Sequence, residues 1–367
     1  MNNLSMDNLN EPKYKKLIDY IIEYIKNGDL KPNDKIFSEL ELMDRFNISR
    51  HTVRKAFDRL VNEGWLYKVQ GKGTFVSYPS ANLKRDGKLI AVVTTYLGDY
   101  IFPEIIEGIE NVLTQKGYSI ILGNTDNKIE KERVVLKNLL SNNLCGLITE
   151  PTKSVFSNPN NDIYQQFINR GIPIMFINGH YNDFKSSYII EDDIHAGYIA
   201  TKHLVLEGHE RIGGIFKSDD MQGHRRYQGF VKCLREYNIE IPEKGVIWYS
   251  TEDRDDFFND KDYINILLRR LNNCSAVVCY NDQIAVRILD ILKNNGLRVP
   301  DDYSIVSFDN SNIAQTAEVK LTTVAHPKAV MGERAANALL EIIDDKSLLI
   351  QEKMEPKLVI RESTKKV

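Results

Sequence analysis

The chain has little cysteine, tryptophan or histidine: four, two and seven residues in 367. Cys145, Cys233, Cys274 and Cys279 are scattered through apolar runs, and no CxxC pair occurs. That spacing excludes a disulfide framework and leaves buried, reduced thiols as the expectation. The histidines form neither HxxxH nor HExxH, so no metal site is expected. No apolar run is long enough to cross a bilayer, and residues 1–12 are polar without an apolar signal core. A cytoplasmic protein with no membrane partner is therefore expected. Also missing are a GxxxxGK[ST] phosphate loop, a dinucleotide fingerprint at Gly213-Gly214 and a GxSxG elbow. No carboxylates can be paired as a glycosidase acid and nucleophile. Nothing points to covalent chemistry, an enzyme or a cofactor.

What is present fits a soluble multidomain chain, with 42% hydrophobic and 27% charged residues. The net charge of -3 is unevenly spread. Residues 11–79 hold 13 Lys and Arg against 10 Asp and Glu; residues 80–367 hold 35 against 40. A small basic module attached to a larger acidic one is the pattern of a nucleic-acid binder with a second function.

Within residues 11–79, Leu17, Ile18, Ile21, Ile22 and Ile25 recur at helical spacing until Gly28. Ser38 and Glu41 have capping-box spacing for a second helix, whose inner face is read as Leu40, Met43 and Phe46. After a short turn, Ser49 can cap a third helix that buries Val53, Ala56, Phe57, Leu60 and Val61. The two helices, at about 38–58, read as a helix-turn-helix. Arg50, His51, Thr52 and Arg54 lie on the outer face of the third helix at its N-terminal end, where a recognition helix meets base edges. Two β-rich runs, 65–69 and 74–76, flank Gln70-Gly71-Lys72-Gly73 and read as a wing. The bland alternative for each cation is a solvated helix face.

These residues resemble the winged helix of the GntR family of bacterial regulators. The matching stretches are 35–42 (KIFSELEL), 49–56 (SRHTVRKA) and 70–76 (QGKGTFV). Phe37 departs from the family's usual Pro. The resemblance implies DNA contacts from Lys13, Ser38, Glu39, Arg50, His51, Thr52, Arg54, Gln70, Gly71, Lys72 and Gly73, and double-stranded operator DNA as the partner.

Residues 80–88 read as a polar linker with no apolar hinge helix. From 89 to 367, short apolar strands alternate with amphipathic helices, which implies parallel sheets in two α/β lobes with a ligand at the strand C-terminal ends. Asn281-Asp282 and Asp309-Asn310 end two of these strands, and Arg226 lies in HRRYQGF. Amides, carboxylates and a guanidinium together suit sugar hydroxyls, which both donate and accept. For the strand-end residues, helix capping is an equal alternative.

This half resembles the LacI/GalR sensor domain, itself similar to periplasmic sugar-binding proteins. The matching stretches are 204–209 (LVLEGH), 280–285 (YNDQIA), 299–309 (VPDDYSIVSFD) and 321–324 (LTTV). The resemblance implies effector contacts from Arg226, Asn281, Asp309 and His326, the last standing where the family commonly has Gln. The pairing of the two modules, with 99–103 (DYIFP) and 147–154 (LITEPTKS), resembles the repressors of arabinose utilisation in Gram-positive bacteria. That implies L-arabinose as effector and adds Phe102, Glu150 and Lys153 to the pocket; a homodimer is expected because one winged helix gives limited affinity and two half-sites multiply it. Residue chemistry alone reaches only a small polyol. Two other readings are a sugar-transport protein, opposed by the basic winged helix, and a sugar-processing enzyme.

Overall fold

The computed structural model describes residues 12–31, 33–62, 65–69, 73–77, 88–98 and 101–367. Gly64, the wing tip Gln70 to Lys72, linker residues 80–87 and Asp99-Tyr100 lie outside the described residues. Two compact units are formed, the first holding the described residues up to Leu89 together with Leu136–Cys145 and Asp162–Ile172, the second the remainder.

The first unit begins with α1 (Lys13–Lys26), α2 (Glu39–Phe46) and α3 (Arg50–Asn62). The capping box at α2 is present: Ser38 N donates to Glu41 Oε2 at 2.6 Å, and Glu41 N donates to Ser38 Oγ at 3.2 Å. Ser49 Oγ accepts from Thr52 N at 3.3 Å and so caps α3. Strands β1 (Leu66–Val69) and β2 (Gly73–Val76) pair antiparallel, as a wing requires. Ile36 N donates to the Thr74 carbonyl at 3.0 Å, which ties the approach to α2 onto β2. Leu17, Ile21, Leu42, Val53, Ala56 and Leu60 are fully buried in the core. One expectation fails here. Leu42, not Leu40, faces inward, and Leu40 is 68% exposed. The helix presents Leu42, Met43 and Phe46 on its inner arc, one turn apart, which leaves position 40 on the flank.

In the second unit the first lobe starts with β3 (Leu89–Thr94), α4 (Phe102–Gln115), β4 (Ser119–Asn124), α5 (Ile129–Leu139) and β5 (Gly146–Thr149). The chain continues through α6 (Asn161–Asn169), which is grouped with the first unit from Asp162 on, and then through β6 (Ile174–Ile177) and β7 (Ser187–Glu191). It then crosses to the second lobe for α7 (Asp193–Leu206), β8 (Ile212–Lys217), α8 (Met221–Glu236) and β9 (Val246–Tyr249). Next come α9 (Arg254–Asn259), α10 (Lys261–Leu271), β10 (Ala276–Cys279), α11 (Asp282–Asn294), β11 (Ser304–Asp309), α12 (Asn312–Thr316) and β12 (Thr322–Ala325). It returns as α13 (Lys328–Asp344) and β13 (Gln351–Met354), and crosses once more to end with β14 (Lys357–Val359).

The sheet orders are β13-β7-β6-β5-β3-β4 and β14-β12-β11-β10-β8-β9. Pairing is parallel in β3–β5–β6–β7–β13 and in β9–β8–β10–β11–β12; β14 joins antiparallel. Parallel strands buried on both faces explain the continuous apolar runs Val92-Val93 and Val277-Val278. The edge strands β9, β13 and β14 were not anticipated from the sequence. The last two are short, polar and only half-buried, so their apolar pattern is weak.

Each lobe is fastened by a helix pair that crosses at glycines. A Cβ on Gly332 of α13 would stand 2.1 Å from the Ile105 carbonyl oxygen of α4. A Cβ on Gly197 of α7 would stand 2.0 Å from the Arg226 carbonyl oxygen of α8. Only hydrogen at these positions allows backbone-to-backbone packing. The four cysteines are buried and free. No helix among the described residues is long and apolar enough to cross a membrane.

Candidate functional site

In the first unit, Glu39 organises the exposed face. Its carboxylate accepts from Arg50 Nε at 2.7 Å and from Arg54 Nε at 3.0 Å. Both arginines stay more than half exposed. The Arg50 hydrogen bond is the main cause that holds the Glu39 carboxyl below its usual range. Arg50 and Arg54 therefore lie on one face with Ser38 and Glu39, beside the exposed His51. Thr52 Oγ1 lies 2.9 Å from Ser49 Oγ. The Lys55 ammonium sits 4.4 Å from the Tyr14 ring centre, which places the start of α1, and exposed Lys13, beside α3. Lys68 Nζ donates to Asp58 at 2.6 Å and holds β1 against α3. Gly73, at φ +122°, opens β2.

In the second unit, a cavity lies at the C-terminal ends of strands from both lobes. Phe102, Glu150, Arg226, Asn281 and Asp309 all line it. Thr95, Tyr96, Lys217, Asp220, Tyr249 and Arg254 do so too and were not assigned to the pocket from sequence. Their signal was position alone, each following or ending a strand.

Arg226 is 1% exposed. Its Nε donates to Asp193 Oδ1 at 2.9 Å and its Nη1 to the Tyr280 carbonyl at 2.7 Å. Its Nη2 faces Asp309 Oδ1 at 3.4 Å and Glu191 Oε2 at 3.5 Å. The guanidinium also lies 4.4 Å from the Phe308 ring centre. Burial acts against its charge, but the Asp309, Asp193 and Glu191 carboxylates outweigh it and keep the arginine cationic.

Glu150 accepts from the Thr95 amide at 2.9 Å, from the Thr95 hydroxyl, and from Asn178 Nδ2 at 2.9 Å. Burial still pushes its pKa up to about 7. At neutral pH the group can thus both donate and accept. Asn281 caps α11, its Oδ1 accepting from Ile284 N at 3.0 Å, so capping and cavity lining coexist at this residue. Asp309 holds φ +96° at the end of β11. Lys217 Nζ donates to Asp220 Oδ2 at 2.6 Å. The Tyr96 and Phe102 rings, 6.2 Å apart, supply an aromatic wall.

Lys153 and His326 are not among the lining residues. Lys153 Nζ donates to Glu252 Oε1 at 2.5 Å across the lobes. His326 is buried, with Nε2 3.0 Å from Asn178 Oδ1. Because Asn178 spends its amide nitrogen on Glu150, its oxygen is the acceptor and His326 is the donor. Burial lowers the His326 pKa to about 4 and keeps the ring neutral. The two residues act behind and beside the cavity. Asn127, absent from the sequence expectations, clasps the lobes: its Nδ2 donates to Thr251 Oγ1 at 2.7 Å and to Asp220 Oδ1 at 3.2 Å. Its left-handed φ of +52° is a backbone feature that Asn tolerates and periodicity does not reveal.

Comparison with known proteins follows the same division. Residues 13–76 match the family of bacterial regulatory proteins of the gntR type, and 201–364 match the periplasmic binding protein-like domain. The arabinose metabolism transcriptional repressor of Geobacillus stearothermophilus is 40% identical over 97% of this chain and 98% of its own length. That of Halalkalibacterium halodurans is 42% identical over 96% and 97%. Among solved structures, the transcription regulator CcpA of Lactococcus lactis superposes with a TM-score of 0.66 at 27% identity, covering 76% of this chain and 99% of its own. A periplasmic binding protein/LacI transcriptional regulator from Alkaliphilus metalliredigens, complexed with D-xylulofuranose, gives 0.65 at 26% identity, with coverage of 76% and 99%.

Proposed function

This chain belongs to the arabinose metabolism transcriptional repressors, and from that premise we propose that L-arabinose, held between the lobes of the second unit, releases its winged helix from operator DNA. As a repressor it is a regulator and not an enzyme. The observation that carries the effector reading is the convergence of Phe102, Glu150, Arg226, Asn281 and Asp309 on one cavity. A guanidinium, two carboxyls and an amide can satisfy the hydroxyls of a pentose, and the aromatic wall covers its apolar face. Glu150, with its raised pKa, serves a hydroxyl of either polarity.

On the DNA side, α3 presents Arg50, His51, Thr52 and Arg54 to the major groove. Ser38, Glu39 and Lys13 flank it, and Gln70, Gly71, Lys72 and Gly73 add the contacts that the family resemblance implies. Arg supplies the bidentate fork that reads guanine. The protein works in the cytoplasm as a homodimer, because two linked half-site contacts multiply a modest single affinity. With no hinge helix in the linker sequence, the sugar acts by changing the spacing of two winged helices across the dimer.

Mobility-shift titration at fixed salt tests the reading. L-arabinose should release the operator, while D-xylose and D-ribose should need far higher concentrations. Operator binding that no pentose disturbs would defeat the effector assignment.

A further inference from the structure

Arg226 sits among more negative charge than it can balance. Glu191 and Asp193 are each 1% exposed and Asp309 is 4% exposed, and all three carboxylates face the one guanidinium. Two of their oxygens, Glu191 Oε1 and Asp193 Oδ2, are buried without a hydrogen-bond partner among the described residues. An ionised carboxylate out of water is costly unless each oxygen is paired. One positive charge against three negative ones leaves a surplus that hydrogen bonds from the guanidinium do not remove.

Of the neighbouring groups, Arg225, also on α8, adds a positive charge that acts on Asp193, while its Nη2 lies 3.2 Å from His180 Nε2. Asp282, at the start of α11, adds a negative charge next to Asp309, and its own oxygens are taken by Ser307, Ser311 and Thr323. His326, following β12, is neutral, and Lys328 of α13 donates to the Asn310 carbonyl. Across the cavity, Lys217 is paired with Asp220. Among the described residues no group of three or more potential ligands is placed to hold a metal ion.

We propose that Glu191 and Asp193 form a proton-binding site behind the effector cavity, and that sugar binding draws a proton into it. This rests on the effector reading above. The coupling runs through Arg226 and Asp309, which line the cavity and touch the pair. A neutral sugar filling the cavity displaces water from Asp309. Its charge then acts on Glu191 through a drier medium, and like-charge repulsion rises. The cluster relieves it by taking up a proton. Burial, followed by the Asp193 charge, already holds the Glu191 carboxyl well above its ordinary range, and burial pushes Asp193 up to about 6. Effector affinity therefore weakens as pH rises.

Isothermal titration of the full chain with L-arabinose at pH 7, in phosphate and in Tris, counts the protons. Because the two buffers differ in ionisation enthalpy, an uptake of about half a proton separates the measured heats. The same linkage weakens Kd about tenfold from pH 6 to pH 8. Glu191→Gln, a neutral isostere, should bind with nearly equal heats in both buffers and a pH-flat Kd. Asp193→Asn gives the same readout if the first variant does not fold. Wild-type heats that agree between buffers, with a flat Kd, would overturn the proposal. So would a linkage that survives both variants and vanishes in Glu150→Gln, which would place the proton at the other cavity carboxyl. If no pentose binds at any pH, the effector reading falls and takes this inference with it.

Discussion

Gly229 of α8 lies directly against the Ile194 carbonyl of α7: a Cβ on the glycine would stand 2.0 Å from that oxygen. Gly197 makes the reciprocal approach to the Arg226 carbonyl. The crossing therefore fixes where Arg226 leaves α8, one turn before Gly229, and where Asp193 begins α7. Helix contact and ligand chemistry are set by the same glycines.

Gly229→Ala must separate the two helices. We expect a loss of about 1–3 kcal/mol in stability from overpacking against backbone. Sugar affinity should fall more than tenfold, because the Asp193–Arg226 bond is displaced. Thermal melts paired with sugar titration check both. A variant that melts and binds like the parent would refute the close crossing.

The outward orientation of Leu40 makes a paired prediction. Leu42→Ala removes a fully buried side chain and should cost about 2–5 kcal/mol. Leu40→Ala, at an exposed position, should change stability by less than about 0.5 kcal/mol. Urea unfolding of the two variants distinguishes this arrangement from one in which Leu40 faces the core.

Arg54→Ala tests how the Glu39 face reads DNA. If Arg54 contacts a base, operator affinity should drop by about 1–3 kcal/mol, and the loss should concentrate at one base pair. Binding assays on an operator set with single-position changes resolve this. A uniform loss across all sequences would assign Arg54 to a phosphate. Glu39→Gln should leave both arginines less constrained and raise affinity for unrelated duplexes relative to the operator.

The pH dependence of stability follows from Glu150. Its folded pKa of about 7 lies above that of an unfolded glutamic acid. The folded state thus holds the proton more tightly, and the stability this gives is complete below about pH 4.5 and lost as pH rises through about 7. For a group this buried the ceiling is about 3 kcal/mol. Asp193 and Asp282, each pushed up to about 6 by burial, act in the same direction. His326 acts in the other: its contribution is full above its unfolded value and lost as pH falls through about 4. Glu150→Gln should therefore reduce, without abolishing, the fall in Tm of the sugar-free protein between pH 5 and pH 8. An unchanged slope in differential scanning calorimetry would remove Glu150 from the account.

Local features of both halves were legible in the amino-acid order. The Ser38–Glu41 capping box, the Ser49 cap, the wing strands and the buried parallel strands each depend on neighbours a few residues apart. Asp309 could be found because strand ends announce themselves, whereas Glu150 came only through the family resemblance. Lys153 and His326 were assigned to the pocket by position and instead serve its edges, since side-chain direction is settled by distant partners. Lys153 meets Glu252, and His326 meets Asn178.

Taken alone, the order of residues determined the helices, the buried strands and the caps of the winged helix, and where positive charge gathers, because those outcomes rest on short-range sterics, hydrogen bonding and periodic burial. Folding in three dimensions decided that Glu191, Asp193 and Asp309 would share Arg226, that Asn127 would clasp Thr251, and that Leu42 would turn inward in place of Leu40. Such relationships join positions as far as 124 residues apart. They depend on packing and loss of water that no local pattern encodes.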